Sequence, residues 1–178
     1  MPKLFFGLDI PEALKPGLLS VQTPICGAQW QSEQQLHLTL AFLGQVKEQQ
    51  VALARSLARK VTASSLELNV RGVACFGSPE HPKIFWAGIT PEQPLKELQE
   101  SLATQLTKGG FKLENHPFKP HITLSRFKAR AGSVANLLKA HENTFFGVLP
   151  VTDFVLFSST PGPDGSVYTV LERFSLAP

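Results

Sequence analysis

Cysteine is scarce in this chain: 178 residues contain two, Cys26 and Cys75, far apart and without a Cys-x-x-Cys or His-Cys spacing. Neither a disulfide framework nor a zinc site is indicated, and a reducing cytoplasm is the expected compartment. Long apolar runs are missing too. The opening MPKLFFGLDIPEALKP is cut by Asp9 and Pro11 before it reaches the length of a signal h-region or a membrane span, so no membrane partner is expected. Dense Lys/Arg runs are also absent. A net charge of +3 and a pI near 9.0 permit a polyanionic partner without demanding one.

What is present is the composition of a folded protein, 43% hydrophobic and 17% charged. The length suits one domain over residues 1–178, expected to be a monomer. Lys3 to Ile10 reads as a buried strand stopped by proline, and Pro11 to Val21 as a short helix. A Pro/Gly loop follows. Gln35 to Phe42 then alternates, placing Leu36, Leu38 and Leu40 on one face and His37 and Thr39 on the other. Helical spacing runs from Val46 to Val61, and a strand from Leu66 to Phe76. Lys83 to Ile89 suits a strand, Glu92 to Thr107 a helix ended by Gly109-Gly110, and Pro120 to Phe127 repeats the earlier alternation. A short helix near Val134 to Ala140, a strand within Val148 to Ser158, a Pro-Gly-Pro-Asp-Gly turn and a strand from Val167 to Phe174 complete the chain.

Part of this order occurs twice. Leu4-Phe5-Phe6-Gly7-Leu8, a helix and His37-Leu38-Thr39-Leu40 are echoed by Ile84-Phe85-Trp86-Ala87-Gly88, a helix and His121-Ile122-Thr123-Leu124. The period, about half the chain, exceeds the roughly 20 to 50 residues of solenoid units and indicates a duplicated lobe with pseudo-twofold symmetry. Such symmetry sets the two His-x-Thr motifs face to face.

One His-x-Thr on a strand with a wet face is unremarkable; two at matching places in a repeat point to chemistry. Imidazole titrates near neutrality, so one His can accept a proton while the other donates one. Thr39 and Thr123 lie near enough to hydrogen-bond the non-bridging oxygens of a phosphate held between them. Arg126 stands five residues after His121, an offset that a regular strand puts on the opposite face. It can join the phosphate only if the strand ends or bulges near Ser125. Of the aromatic residues Phe5, Phe6, Phe42 and Trp86, most are expected in the core, with Phe42 the candidate for stacking on a base. His81, His116 and His141 lack a paired Thr and are given no role. Tyr168, Ser158 and Ser159 fall on late strands that can line a cleft, though their spacing does not require it.

Paired HxT motifs, LFFGLD at the start and HPFKPHITLSR in the second half resemble the 2H phosphoesterase superfamily across the whole chain. HLTLAFLG and PHITLSR are most similar to the bacterial RNA 2′,3′-cyclic phosphodiesterases, first described as 2′-5′ RNA ligases. The resemblance implies an α+β, bilobal fold with an antiparallel sheet in each lobe and a central cleft holding both motifs, with no metal or other cofactor required. It implies hydrolysis of RNA-terminal 2′,3′-cyclic phosphate to 2′-phosphate, with His37 and His121 catalytic and Thr39, Thr123 and Arg126 on the phosphate. His121 is set as the base toward water and His37 as the acid toward O3′; the equivalence of the lobes leaves that order open. An RNA hydroxyl in place of water accounts for ligation without ATP. Alternatives are a binding module that holds an RNA end or nucleotide, and a phosphodiesterase for another small cyclic nucleotide.

Overall fold

The computed structural model describes all of residues 1–178 and builds them around one antiparallel nine-stranded sheet. In chain order the elements are β1 (Lys3–Asp9), α1 (Lys15–Leu19), β2 (Ala28–Trp30), β3 (His37–Gln45), α2 (Glu48–Ala58), β4 (Leu66–Gly77), β5 (Pro82–Thr90), α3 (Gln93–Lys108), β6 (His121–Phe127), α4 (Ala135–His141), β7 (Phe145–Val151), β8 (Asp153–Gly162) and β9 (Gly165–Ser175). The sheet order is β7-β4-β5-β6-β3-β1-β8-β9, with β2 also paired to β6. Two four-stranded halves therefore meet at β3 and β6, and the two expected sheets are joined at the centre. No helix is long and apolar enough to cross a membrane.

The alternation read from the motifs explains the join. Leu38 and Ile122 are fully buried, and they form the one register pair between β3 and β6. Their side chains turn toward the helices. Leu95, Leu98, Leu102 and Leu106 of α3 and Ala54, Leu57 and Ala58 of α2 close over the same core. At roughly 25 cal/mol per Å² of apolar surface, a fully buried leucine contributes about 2 kcal/mol, so this face strongly fixes which residues point away from it.

The structure corrects four expectations. β2 lies within the expected Pro/Gly loop, because three residues, Ala28 to Trp30, are too few to show a period. The strand placed within Val148 to Ser158 is two, broken at Thr152: β7 pairs with β4 and β8 with β1, toward opposite edges of the sheet. α1 spans Lys15–Leu19, with Pro16, not Pro11, in its first turn. The echo between the opening strands shifts by one residue. Thr39 faces Gly7 on β1 while Thr123 faces Trp86 on β5, so Phe6 corresponds to Phe85, and both are fully buried.

Candidate active site

Because β3 and β6 run antiparallel through the Leu38–Ile122 pair, His37 stands across from Thr123 and Thr39 across from His121. The four motif side chains share the face opposite the two buried apolar ones, and directly opposed positions in such a ladder lie about 5 Å apart. The structure thus brings together the two motifs that the repeat set face to face.

Each strand then breaks its regularity one residue past its threonine. On β6, Thr123 pairs with Trp86 and Ser125 with Phe85, leaving Leu124 as an extra residue. On β3, Thr39 pairs with Gly7 and Ala41 with Phe6, leaving Leu40 as the extra one. A one-residue bulge reverses which face the following side chains take. Arg126 thereby joins the face of His121, as its predicted phosphate role requires, and its positive charge bears on both imidazoles. The symmetry-related position is Phe42, 44% exposed beside Thr39 in a cleft of about 300 Å³.

The histidines are held alike. His37 donates from Nδ1 to the Gln35 carbonyl at 2.7 Å, and His121 donates from Nδ1 to the Lys119 carbonyl at 2.7 Å. A carbonyl can only accept, so each Nδ1 must carry the hydrogen, and each neutral ring presents an Nε2 lone pair. Thr39 Oγ1 donates to Nε2 of His37 at 3.0 Å. Burial pushes the His37 imidazole down to about 4, and the charges of Arg126 and His121 push in the same direction. Burial also lowers His121, with Arg126 and Lys119 adding to it.

Aromatic rings explain the burial. Phe5 lies 4.9 Å from the His37 ring, and Tyr168 meets it edge-on at 4.9 Å. Phe76 meets His121 edge-on at 5.0 Å, and Trp86 packs against it at 5.6 Å. Of the four stacking candidates, Phe6 is core, Phe5 and Trp86 are buried against the histidines, and Phe42 is exposed in the cleft.

The cleft opens where β3 runs past Thr39 and its neighbour is the loop before β6 rather than a strand; β2 fills the corresponding space along the far end of β6. Phe76, Gln99, Phe118 and His116 line it. His116, given no role from the sequence, therefore lies at the site, paired with Glu114, whereas His81 is in the β4–β5 turn and His141 bonds Thr144. Phe76, Gln99 and Phe118 carried no sequence signal, since each fits its own element as a packing or surface residue. Tyr168 carried only its place on a late strand.

Comparisons with known proteins agree with this geometry. Residues 22–162 match the family model of the 2′-5′ RNA ligase superfamily. The chain is 31% identical to the RNA 2′,3′-cyclic phosphodiesterase of Archaeoglobus fulgidus, covering 97% of this chain and 99% of that one. It is 35% identical to the RNA 2′,3′-cyclic phosphodiesterase of Thermus thermophilus, covering 98% and 90%. Among solved structures, E. coli LigT complexed with 3′-AMP superposes with a TM-score of 0.84 at 26% identity, covering 100% of both chains. A chain with this sheet, these paired motifs and these relatives belongs to the 2′-5′ RNA ligase superfamily of 2H phosphoesterases.

Proposed function

We propose that this protein hydrolyses 2′,3′-cyclic phosphate at RNA ends to a 2′-phosphate, with His37 and His121 as a general acid–base pair. The observation that carries the reading is the facing of two identically tethered histidines across Leu38 and Ile122, each with Nε2 turned to the common face. A module that merely held a phosphate would gain nothing from Nε2 lone pairs, which repel an anion; proton transfer needs them. Relatives named RNA 2′,3′-cyclic phosphodiesterase supply the substrate class. LigT structures with 3′-AMP, ATP and NADP+ support a site for nucleotides bearing phosphate.

The substrate phosphorus sits between the imidazoles. The Thr123 hydroxyl, the Thr39 hydroxyl turned from Nε2 of His37 to the phosphate, and the Arg126 guanidinium hold its non-bridging oxygens, matching charge as it grows there. One imidazole takes a proton from water as the water oxygen bonds to phosphorus. The P–O3′ bond breaks on the opposite side, and the other imidazolium gives O3′ its proton. Both imidazoles are depressed in the free site, so the anionic substrate must draw in the proton that the acid uses. A 5′-hydroxyl in place of water leaves a 2′-5′ linkage by the same steps, without ATP.

The chain acts in this reading as one bilobal domain, each lobe giving one motif. A single hydrophobic cluster that includes Leu38 and Ile122 and reaches both halves of the sheet supports it. We further assign it to the cytoplasm as a monomer acting without a metal; the unpaired Cys26 and Cys75 suit that compartment, and EDTA in the assay below tests the metal.

The test is incubation with an RNA oligonucleotide ending in 2′,3′-cyclic phosphate, in EDTA, beside His37→Ala and His121→Ala. A 2′-phosphate product formed by wild type and lost in both variants is expected. Tight binding of the cyclic end without turnover would leave a binding module instead.

A further inference from the structure

We propose that Gln35 and Lys119, the residues two before each histidine, are positioning residues whose side chains lock the carbonyls that select the Nδ1–H tautomer. The inference rests on the acid–base reading above for its kinetic part and on geometry alone for its tautomer part. Both carbonyls belong to irregular backbone. Gln35 ends a three-residue 3-10 turn, and Lys119 lies in the loop before β6 with Pro120 between it and the strand, so no sheet ladder holds either carbonyl in place.

In each case the side chain provides the missing anchor, and it reaches the element whose ring packs on the same histidine. Gln35 Oε1 accepts the Ser32 backbone N–H at 2.9 Å, and its Nε2 donates to the Ser166 carbonyl at 3.0 Å. Ser166 is on β9, the strand that sets Tyr168 against His37. Lys119 Nζ donates to Glu92 Oε2 at 3.0 Å and lies over the Trp86 ring at 5.8 Å, and Trp86 packs on His121. Both ends of the anchor thus act on one ring: the carbonyl fixes its edge and the tethered aromatic fixes its plane. One anchor is a neutral amide and the other an ammonium, so the lobes reach the same end by different chemistry.

The consequence is specific. A histidine freed from its carbonyl adopts either tautomer and can turn in its plane: on the base the Nε2–H form presents a donor where the reaction requires a lone pair, and on the acid the loosened ring no longer aims its Nε2–H at O3′. The experiment compares Gln35→Leu, Lys119→Met and the rescue variant Lys119→Arg, by steady-state kinetics and by ¹⁵N NMR of the histidine rings. Gln35→Leu should mix tautomers at His37 and leave His121 unchanged; Lys119→Met should do the reverse. The undisturbed histidine reports that each variant is folded. We expect kcat to fall roughly tenfold, as when an outer partner that orients a histidine is removed, with KM within about twofold. Lys119→Arg should restore both readouts. Ring spectra identical to wild type in Gln35→Leu and Lys119→Met would overturn the proposal, and a KM rise with unchanged tautomers would mean that Lys119 binds substrate directly. The spectra read out even if cyclic RNA ends prove not to be the substrate, which separates this failure from that of the proposed activity.

Discussion

The two halves of the sheet share a backbone plan and differ in what they hang on it. Each has a strand with histidine and threonine about a buried apolar residue, a carbonyl two residues back that fixes Nδ1, and a bulge at the leucine after the threonine. The plan then diverges. After its bulge β3 presents Phe42, while β6 presents Arg126; β2 fills the space beside β6, while the space beside β3 remains a cleft. The shared features are those that proton transfer requires twice. The differing ones suit a substrate that is itself unsymmetrical, with a charged phosphate and a flat base.

Removing either member of the shared plan should have the largest effect. His37→Ala and His121→Ala should each lower kcat by about 10²–10⁴-fold, and the double variant should lose less than the product of the two. Quantifying 2′-phosphate release in single-turnover assays checks this. If one single variant kept near-wild-type rate, the two lobes would be equivalent in form only.

Next in size is Arg126→Gln. Loss of a charge-assisted bond to phosphate is worth about 1.5–3 kcal/mol, so kcat/KM should fall by about one to two orders of magnitude. Phe42→Ala should do less and do it differently. Base stacking contributes about 1–3 kcal/mol per base, and a ring already 44% exposed belongs at the low end, so KM should rise about fivefold with kcat nearly unchanged. A cyclic phosphate on a ribose lacking its base sharpens the contrast: it should feel the loss of Arg126 and be indifferent to the loss of Phe42. Equal loss with both substrates would remove Phe42 from base binding.

These residues also show what a linear reading can hold. The site's four central groups were legible because alternation and repetition are properties of sequence, and Leu38 and Ile122 have nowhere to go but the core. Arg126 was legible only conditionally: parity put it on the wrong face, and a break in the strand had to be supposed. The break itself is invisible, since Leu40 and Leu124 are as apolar as any regular strand residue and only the ladder register marks them as extra. The one-residue slip in the echo has a similar origin. LFFGL and IFWAG match in character at two offsets, and pairing with β3 and β6 selects the offset that puts Phe6 and Phe85 in the core. Tyr168 and Phe76 reach the histidines from strands remote in sequence, and nothing local signals such a contact.

The smallest expected effect concerns the pH dependence. For kcat/KM the productive form of the free enzyme carries one imidazolium and one neutral imidazole. With His37 pushed to about 4 and His121 below 6.5, that form is lost by deprotonation as pH rises through the His121 value, and by double protonation as pH falls below the His37 value. The bell for kcat/KM should therefore have its acid limb near the His37 value of about 4 and its alkaline limb on the acid side of an ordinary imidazole. Bound phosphate brings negative charge to both rings and raises them, so the alkaline limb of kcat should lie at higher pH than that of kcat/KM. Arg126 lowers both imidazoles, and removing its charge should raise both. Arg126→Gln should thus move the whole kcat/KM bell toward alkaline pH while lowering its height, whereas Phe42→Ala should leave its position unchanged. A kcat/KM bell that stayed in place in Arg126→Gln would mean that the guanidinium faces away from the histidines, and the correspondence between Phe42 and Arg126 would then be one of backbone position alone.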